Sequence, residues 1–122
     1  MVEVITIAQV NAVQGFVQVP VALTSSAASI AWNAATAQNA THTMTENTTL
    51  ANPTNLVAGM DYKFTPTQHA SVAKTLAYGS AFRPAADLPI ISTALGATDE
   101  QVWRCTDGAT LHCVGNSQNV GV

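Results

Sequence analysis

The sequence predicts an all-β fold: a single antiparallel β-sandwich or jelly-roll-like domain preceded by an N-terminal β arm or hairpin. Three observations lead there. Short runs of β-branched, aromatic and Thr residues recur about every ten residues. Gly, Pro and Asn stand between the runs as turn formers. No segment carries a convincing helical apolar period. Only Ala34 to Asn39 (AATAQN) reads as one helical turn.

Val2 to Val10 (VEVITIAQV) interleaves apolar residues with Glu3, Thr6 and Gln9 and reads as a strand. Phe16 to Leu23 (FVQVPVAL) reads as a second, with Pro20 marking an edge strand or a bulge because proline cannot donate to a ladder. Gly15 separates the two, so residues 1–28 are expected to form an arm or hairpin and residues 29–122 the sandwich domain. The apolar residues of the arm, Val4, Ile5, Ile7, Phe16, Val17, Val19 and Val21, are its expected assembly contacts.

Ser29 to Trp32 is a short strand, and Asn39 to Thr45 alternates with the period of two of a half-buried strand. Thr48 to Leu50 follows, then the turn Asn52-Pro53-Thr54-Asn55. After Gly59, Met60, Tyr62 and Phe64 share one face of a strand that runs to Thr67. Val72 to Tyr78 reads as a strand broken by Gly79, Arg83 to Pro89 as a loop, and Ile90 to Leu95 as a strand ending at Gly96. Gln101 to Thr106 and Ala109 to Val114 flank Asp107-Gly108, a strong hairpin signal. A two-residue loop sets Cys105 opposite Thr110 and Cys113 opposite Val102, with the thiols on opposite faces. A longer loop makes them diagonal neighbours, and neither arrangement favours a disulfide.

Composition narrows the function. Hydrophobic residues make up 48% of the 122 residues and charged residues only 9%, against roughly a quarter in ordinary domains. A surface so poor in charge is expected to be covered in an assembly. Four Lys and Arg and a net charge of -3 leave no basic stripe for nucleic acid. No apolar run is long enough to span a membrane. The start, Met1-Val2-Glu3-Val4, lacks the basic region of a signal peptide, so export by that route is not expected.

Nothing in the sequence assembles a catalytic or metal site, and the chain is expected to be non-enzymatic, with no cofactor. The titratable residues are Glu3, Glu46, Asp61, Asp87, Asp99, Glu100, Asp107, His42, His69 and His112, and no two histidines sit at metal-ligand spacing. No phosphate loop or nucleophile elbow is present. Asp99-Glu100 is read as a solvated charge pair before a strand, since neighbours on a strand face opposite ways. His42 and His112 are read as polar strand positions. Trp32, Tyr62, Phe64, Tyr78, Phe82 and Trp103 are read as core. Tyr78, Phe82 and Arg83, around Gly79, are placed near a rim where binding is more plausible.

From about residue 29 to 115 the chain resembles a β module of bacteriophage and prophage tail-fibre and related virion proteins. Ile30-Ala31-Trp32-Asn33 looks like the module's opening strand. Residues 45–55 (TENTTLANPTN) resemble its T-G-N-R-T-L-x-x-P-T-N segment, with Glu46 and Thr48 as departures. Residues 58–62 (AGMDY), 75–82 (TLAYGSAF) and 106–112 (TDGATLH) resemble its A-G-x-x-Y, T-L-x-[WY]-G-S-x-[FY] and S-D-G-T-N-L-Y segments, in the same order. A Gly-rich insert frequent in the family is replaced here by residues 83–87 (RPAAD), and residues 1–28 fall outside the match.

The resemblance implies a virion structural protein without catalysis, assembled in the host cytoplasm. Because the module is here read as the whole chain, with no shaft, the expected role is a capsid decoration (cement) protein. Its partners would be copies of itself, as a symmetric oligomer such as a trimer, and the major capsid protein. The arm is expected to pair with a neighbour's sheet edge. Deleting residues 2–23 is expected to abolish assembly and leave the 29–115 core folded. The alternative is a tail-fibre or receptor-binding module contacting the host surface through the loops near Tyr78 to Asp87.

Overall fold

A computed structural model describes residues 19–120. The expected strand Val2 to Val10 and the arm residues Val4, Ile5, Ile7, Phe16 and Val17 lie outside the described residues. The described chain is mostly strand. In order come β1 (Val21–Ala22), β2 (Ser25–Ser26), β3 (Ser29–Ile30), β4 (Asn39–Thr43), β5 (Thr48–Leu50), β6 (Asp61–Thr67), β7 (Leu76–Tyr78), β8 (Phe82–Arg83), a 3-10 turn at Ala85–Asp87, β9 (Glu100–Cys105) and β10 (Leu111–Ser117). They form two sheets, a six-stranded one ordered β1-β4-β6-β9-β10-β8 and a four-stranded one ordered β2-β3-β5-β7.

The all-β expectation holds, but the pairing is not antiparallel throughout. Five of the eight ladders are parallel: β1–β4, β4–β6, β3–β5, β5–β7 and β8–β10. The antiparallel ladders are β2–β3, β6–β9 and β9–β10. The reason lies in the chain path. From β3 to β8 successive strands alternate between the two sheets. Parallel neighbours need a crossover between them, and here β3–β5, β4–β6 and β5–β7 are each joined through one strand of the opposite sheet and β1–β4 through two, while β8 reaches β10 by way of β9 of the same sheet. Turn residues mark where a strand ends, not which sheet the next one joins, so ten-residue spacing is equally compatible with a hairpin and with a coil of this kind.

Alternation along the strands fills the space between the sheets. Ala40 and His42 of β4, Tyr62, Phe64 and Pro66 of β6, and Gln101, Trp103 and Cys105 of β9 are buried, while the residues between them face outward. Ile30 and Leu50 of the smaller sheet join the same cluster. Trp32 packs on Phe64 at 5.7 Å, and Tyr78 of the smaller sheet packs on Trp103 of the larger at 5.6 Å. All six aromatics read as core therefore contribute to it, five fully buried and Tyr78 half-buried.

Several boundaries move. β1 and β2 precede residue 29 yet belong to the two sheets, so the expected division at 28/29 cuts through the fold. Leu23 N–H donates to Thr41 O at 2.7 Å, and Leu23 O receives His42 Nδ1–H at 2.9 Å. A deletion through residue 23 removes these bonds as well as the arm. Pro20 stands just before β1, which is an edge strand, as proline requires. The strand expected at Val72 to Tyr78 is confined to β7. Ile90 to Leu95 is not a strand, because side chains rather than a ladder hold it.

The hairpin is wider than two residues. Cys105 pairs with Leu111 and Cys113 with Trp103, leaving 106–110 as the loop, with Gly108 at φ 81°. Asp107 widens it by accepting from Ala109 N–H at 2.9 Å, Thr110 N–H at 2.7 Å and the Thr110 hydroxyl at 3.0 Å. The cysteines are thus diagonal neighbours, and both are free.

The Asp107 carboxyl is held below the ordinary carboxylate range, first by the Ala109 N–H and then by the Thr110 hydroxyl and N–H. A lowered folded value stabilises the turn above the unfolded Asp value, about 3.9, and that contribution is lost as pH falls through the folded value. Amide exchange at Ala109 and Thr110 should therefore be slower in the wild type than in Asp107→Ala at neutral pH, with the two converging in acid. A constant difference through the acid range would contradict this.

Candidate assembly surface

The irregular segments are held by side chains standing in for a ladder. Gln68 donates through Nε2 to Lys74 O and Ser92 O, and accepts from His69 N–H and Lys74 N–H. Asp99 is 1% exposed. Its Oδ2 accepts from Ser92 N–H at 2.6 Å, and its Oδ1 from the Ser92 hydroxyl at 2.7 Å and Asn119 N–H at 3.1 Å. The expected solvated Asp99-Glu100 pair is therefore corrected. Asp99 is an interior bracket for the 90–98 loop and the C-terminal segment, while Glu100 faces out to Lys63 at 3.1 Å.

Gln101, fully buried, forms a second bracket. Trp103 Nε1–H donates to Gln101 Oε1 at 3.2 Å, Gln101 Nε2–H to Tyr78 Oη at 2.8 Å, and Tyr78 O–H to Pro89 O at 2.6 Å. Burial raises the Tyr78 phenol well above its ordinary value, so this hydroxyl stays a donor.

The motif segments 45–55 and 75–82 lie side by side. Thr48, Thr49 and Leu50 pair with Leu76, Ala77 and Tyr78. Past the strands, Asn47 Oδ1 accepts from Thr75 N–H at 2.9 Å and Asn52 Oδ1 from Ala81 N–H at 2.8 Å. Asn52 occupies the space a side chain at residue 79 would need: a Cβ on Gly79 would lie 2.2 Å from Asn52 Oδ1 and 3.0 Å from its backbone N. Gly79→Ala is expected to cost about 1–3 kcal/mol through this overlap. A lower urea midpoint with an unchanged slope would register it.

The expected rim does not form as a group. Phe82 is buried and packs 4.8 Å from Trp103 and 5.5 Å from Tyr78, and only Arg83 is exposed. Of the arm residues that are described, Val19 is 73% exposed and Val21 lies at the sheet edge. The edge strands β1, β2, β7 and β8 are two or three residues long. Short edges leave little ladder for another chain to extend.

The histidines have local structural roles where their bonds are visible. His42 is buried against Leu23 O, and His69 Nδ1 accepts from Ser71 N–H and Val72 N–H in a turn. Among the described residues no group of three or more His, Cys, Asp or Glu is placed to hold a metal ion, and no helix is long and apolar enough to cross a membrane. A cavity of about 220 Å³ is lined by Ala34, Thr36, Gln38, Asn55, Met60 and Tyr62 among others, with no charged side chain.

The surface keeps many large apolar side chains. Ile90 is 78% exposed, and Val57, Val72, Leu95, Val114 and Val120 are also exposed. Val72, Ile90 and Leu95 belong to runs expected as strands but lie in loops, and Val57 and Val120 lie where no period assigns a face. No protein-family model, curated protein or solved structure matches the chain.

Proposed function

We propose that this chain is a non-enzymatic bacteriophage virion structural protein, acting as a head decoration (cement) protein that stabilises the capsid through protein–protein contacts. The observation that carries the reading is the surface, where exposed valines, isoleucine and leucine sit on a chain with only 9% charged residues. Such side chains gain by leaving water, at roughly 25 cal/mol per Å² buried, and little charge opposes association. On this reading the two sheets form one sandwich-like block that carries the contacts on its faces and loops. The resemblance of residues 29–115 to virion β modules supports the setting.

The host-surface alternative would act through the loops near Tyr78 to Asp87, where residues 83–87 are exposed but Phe82 is buried and Tyr78 half-buried. The exposed apolar side chains elsewhere favour decoration. Heads assembled without the protein should lose their DNA at lower temperature or under milder osmotic shock, with addition of the purified protein restoring them. Heads of unchanged stability would overturn the proposal, and a matching loss of adsorption would favour the host-surface role.

A further inference from the structure

We infer that residues up to Ser26 exchange between two copies of this chain, with the Ala27-Ala28 turn as the hinge that opens. The inference goes beyond the decoration reading, because it names the segment that joins two copies whatever the pair then binds.

The hinge is a strained turn. Ser25 pairs with Ile30 and Ser26 with Ser29, which leaves Ala27 and Ala28 as a two-residue loop. Both have positive φ, 52° and 59°. A turn with two such residues is built for Asn-Gly, Asp-Gly or Gly-Gly. Alanine there brings its Cβ against the following carbonyl oxygen, and it has no polar side chain to bond locally in compensation. Both alanines are exposed, so burial does not hold them in this conformation. Glu46 helps to close the turn, its Oε2 accepting from the Ser25 hydroxyl and, at 3.2 Å, from Ala28 N–H. Short hinges under strain favour exchange of the element they connect.

The bonds that hold this segment reach past the hinge. Val21 pairs with Ala40 and Ala22 with Thr41. Leu23 N–H donates to Thr41 O at 2.7 Å, and His42 Nδ1–H to Leu23 O at 2.9 Å. Ser25 Oγ lies 2.9 Å from Thr48 Oγ1. A second copy presents the same β3, β4, Glu46 and Thr48, so each bond can be remade between chains without a new surface. β1 and β2 are edge strands of their sheets and can leave without cutting an interior ladder. Val21 and Ala22 are exposed, while Leu23 packs against the core. Little apolar contact therefore opposes release. Exchange of an identical element is a low-cost route to a dimer.

The register supplies the symmetry. Pairing runs inward from Ser25–Ile30 to Ser26–Ser29, and the next step is Ala27 with Ala28. Within one chain these two are covalent neighbours and cannot pair. Between two extended chains they can, and a two-fold axis between residues 27 and 28 continues the ladder in register. β2 and β3 then become one strand from Ser25 to Ile30, antiparallel to its copy. Exchange relieves both positive φ values in each chain and adds ladder pairs that the closed turn lacks.

The test alters the turn alone and reads the oligomeric state of the full chain, by light scattering after refolding at high concentration. Wild type should give a dimer that dissociates on dilution. Ala28→Val puts a β-branched side chain where φ is positive and should tighten the dimer about tenfold or more. The double variant Ala27→Asn, Ala28→Gly installs the residues this turn prefers and should weaken the dimer by a similar factor. A contact between folded surfaces elsewhere would not answer these two changes in opposite directions. Dimers refolded from equal parts of differently isotope-labelled chains should show contacts between Leu23 of one chain and Thr41 of the other by filtered NMR. Amide shifts that match the wild type outside the turn show that the variants are folded. Dimers unmoved by the turn, or Leu23–Thr41 contacts found only within one chain, would overturn the exchange. Wild type that stays monomeric at every concentration would overturn it too, while the head-stability experiment judges the decoration role separately.

Discussion

Trp103→Ala is expected to destabilise the fold by about 3–5 kcal/mol, a loss typical of emptying a large aromatic site. Trp103 is fully buried and is the meeting point of the two sheets, 4.8 Å from Phe82 and 5.6 Å from Tyr78. Its Nε1–H is also the first donor in the path through Gln101 and Tyr78 to Pro89. Alanine removes the ring and leaves the Gln101 Oε1 acceptor buried without that donor, a further cost of about 1–3 kcal/mol. A small domain has only about 5–15 kcal/mol of net stability, so the variant should lose a large share of it. Trp103→Phe keeps a six-membered ring while losing the N–H and part of the volume, and should lose about half as much. Urea unfolding followed by circular dichroism reads all three proteins. A Trp103→Ala midpoint close to the wild type would contradict the packing described.

Asp99→Ala is the second large effect, expected at about 3–5 kcal/mol, because three hydrogen-bond donors lose their acceptor together, at about 1–3 kcal/mol for each one left buried. Ser92 N–H, the Ser92 hydroxyl and Asn119 N–H all lose their acceptor. Asp99→Asn should be nearly as damaging, since its amide places a donor where Ser92 or Asn119 also donates. Glu100→Ala, on the outward side of the same strand, should change stability by no more than about 1 kcal/mol, as exposed ion pairs do. The sequence reading of these neighbours as one solvated pair predicts small effects for both. Thermal melts of the two alanine variants therefore decide between a solvated and an interior Asp99.

What was legible followed from side-chain period and turn chemistry. Ala40, Tyr62, Phe64 and Trp103 face inward where alternation places them, and Asp107-Gly108 lies in the loop of the closing hairpin, whereas Asn52 to Asn55, expected as a turn, carries a bridge from Thr54 to Asn33. Sheet membership was not legible. Parallel and antiparallel neighbours share the same period of two, and β5 and β7 are paired by residues 28 positions apart that carry no local mark of it. The brackets were missed because Gln68, Asp99 and Gln101 are polar and read as surface, although their full hydrogen-bonding suits them to the interior. Tyr78 and Phe82 were drawn toward a rim by Gly79, whose real role is to leave room for Asn52. The Asp61–Arg104 ion pair was visible as residues but not as a contact, because the two meet only through the β6–β9 register.

The central claim is that this protein works by covering its apolar, charge-poor surface against the head of a virus particle. Imaging purified particles at a resolution that locates the chain tests it most directly. The account predicts many copies at regular positions on the capsid, touching capsomers through loops that carry Ile90 and Leu95. Particles whose heads carry no copies, or on which the chain is confined to the tail, would contradict it.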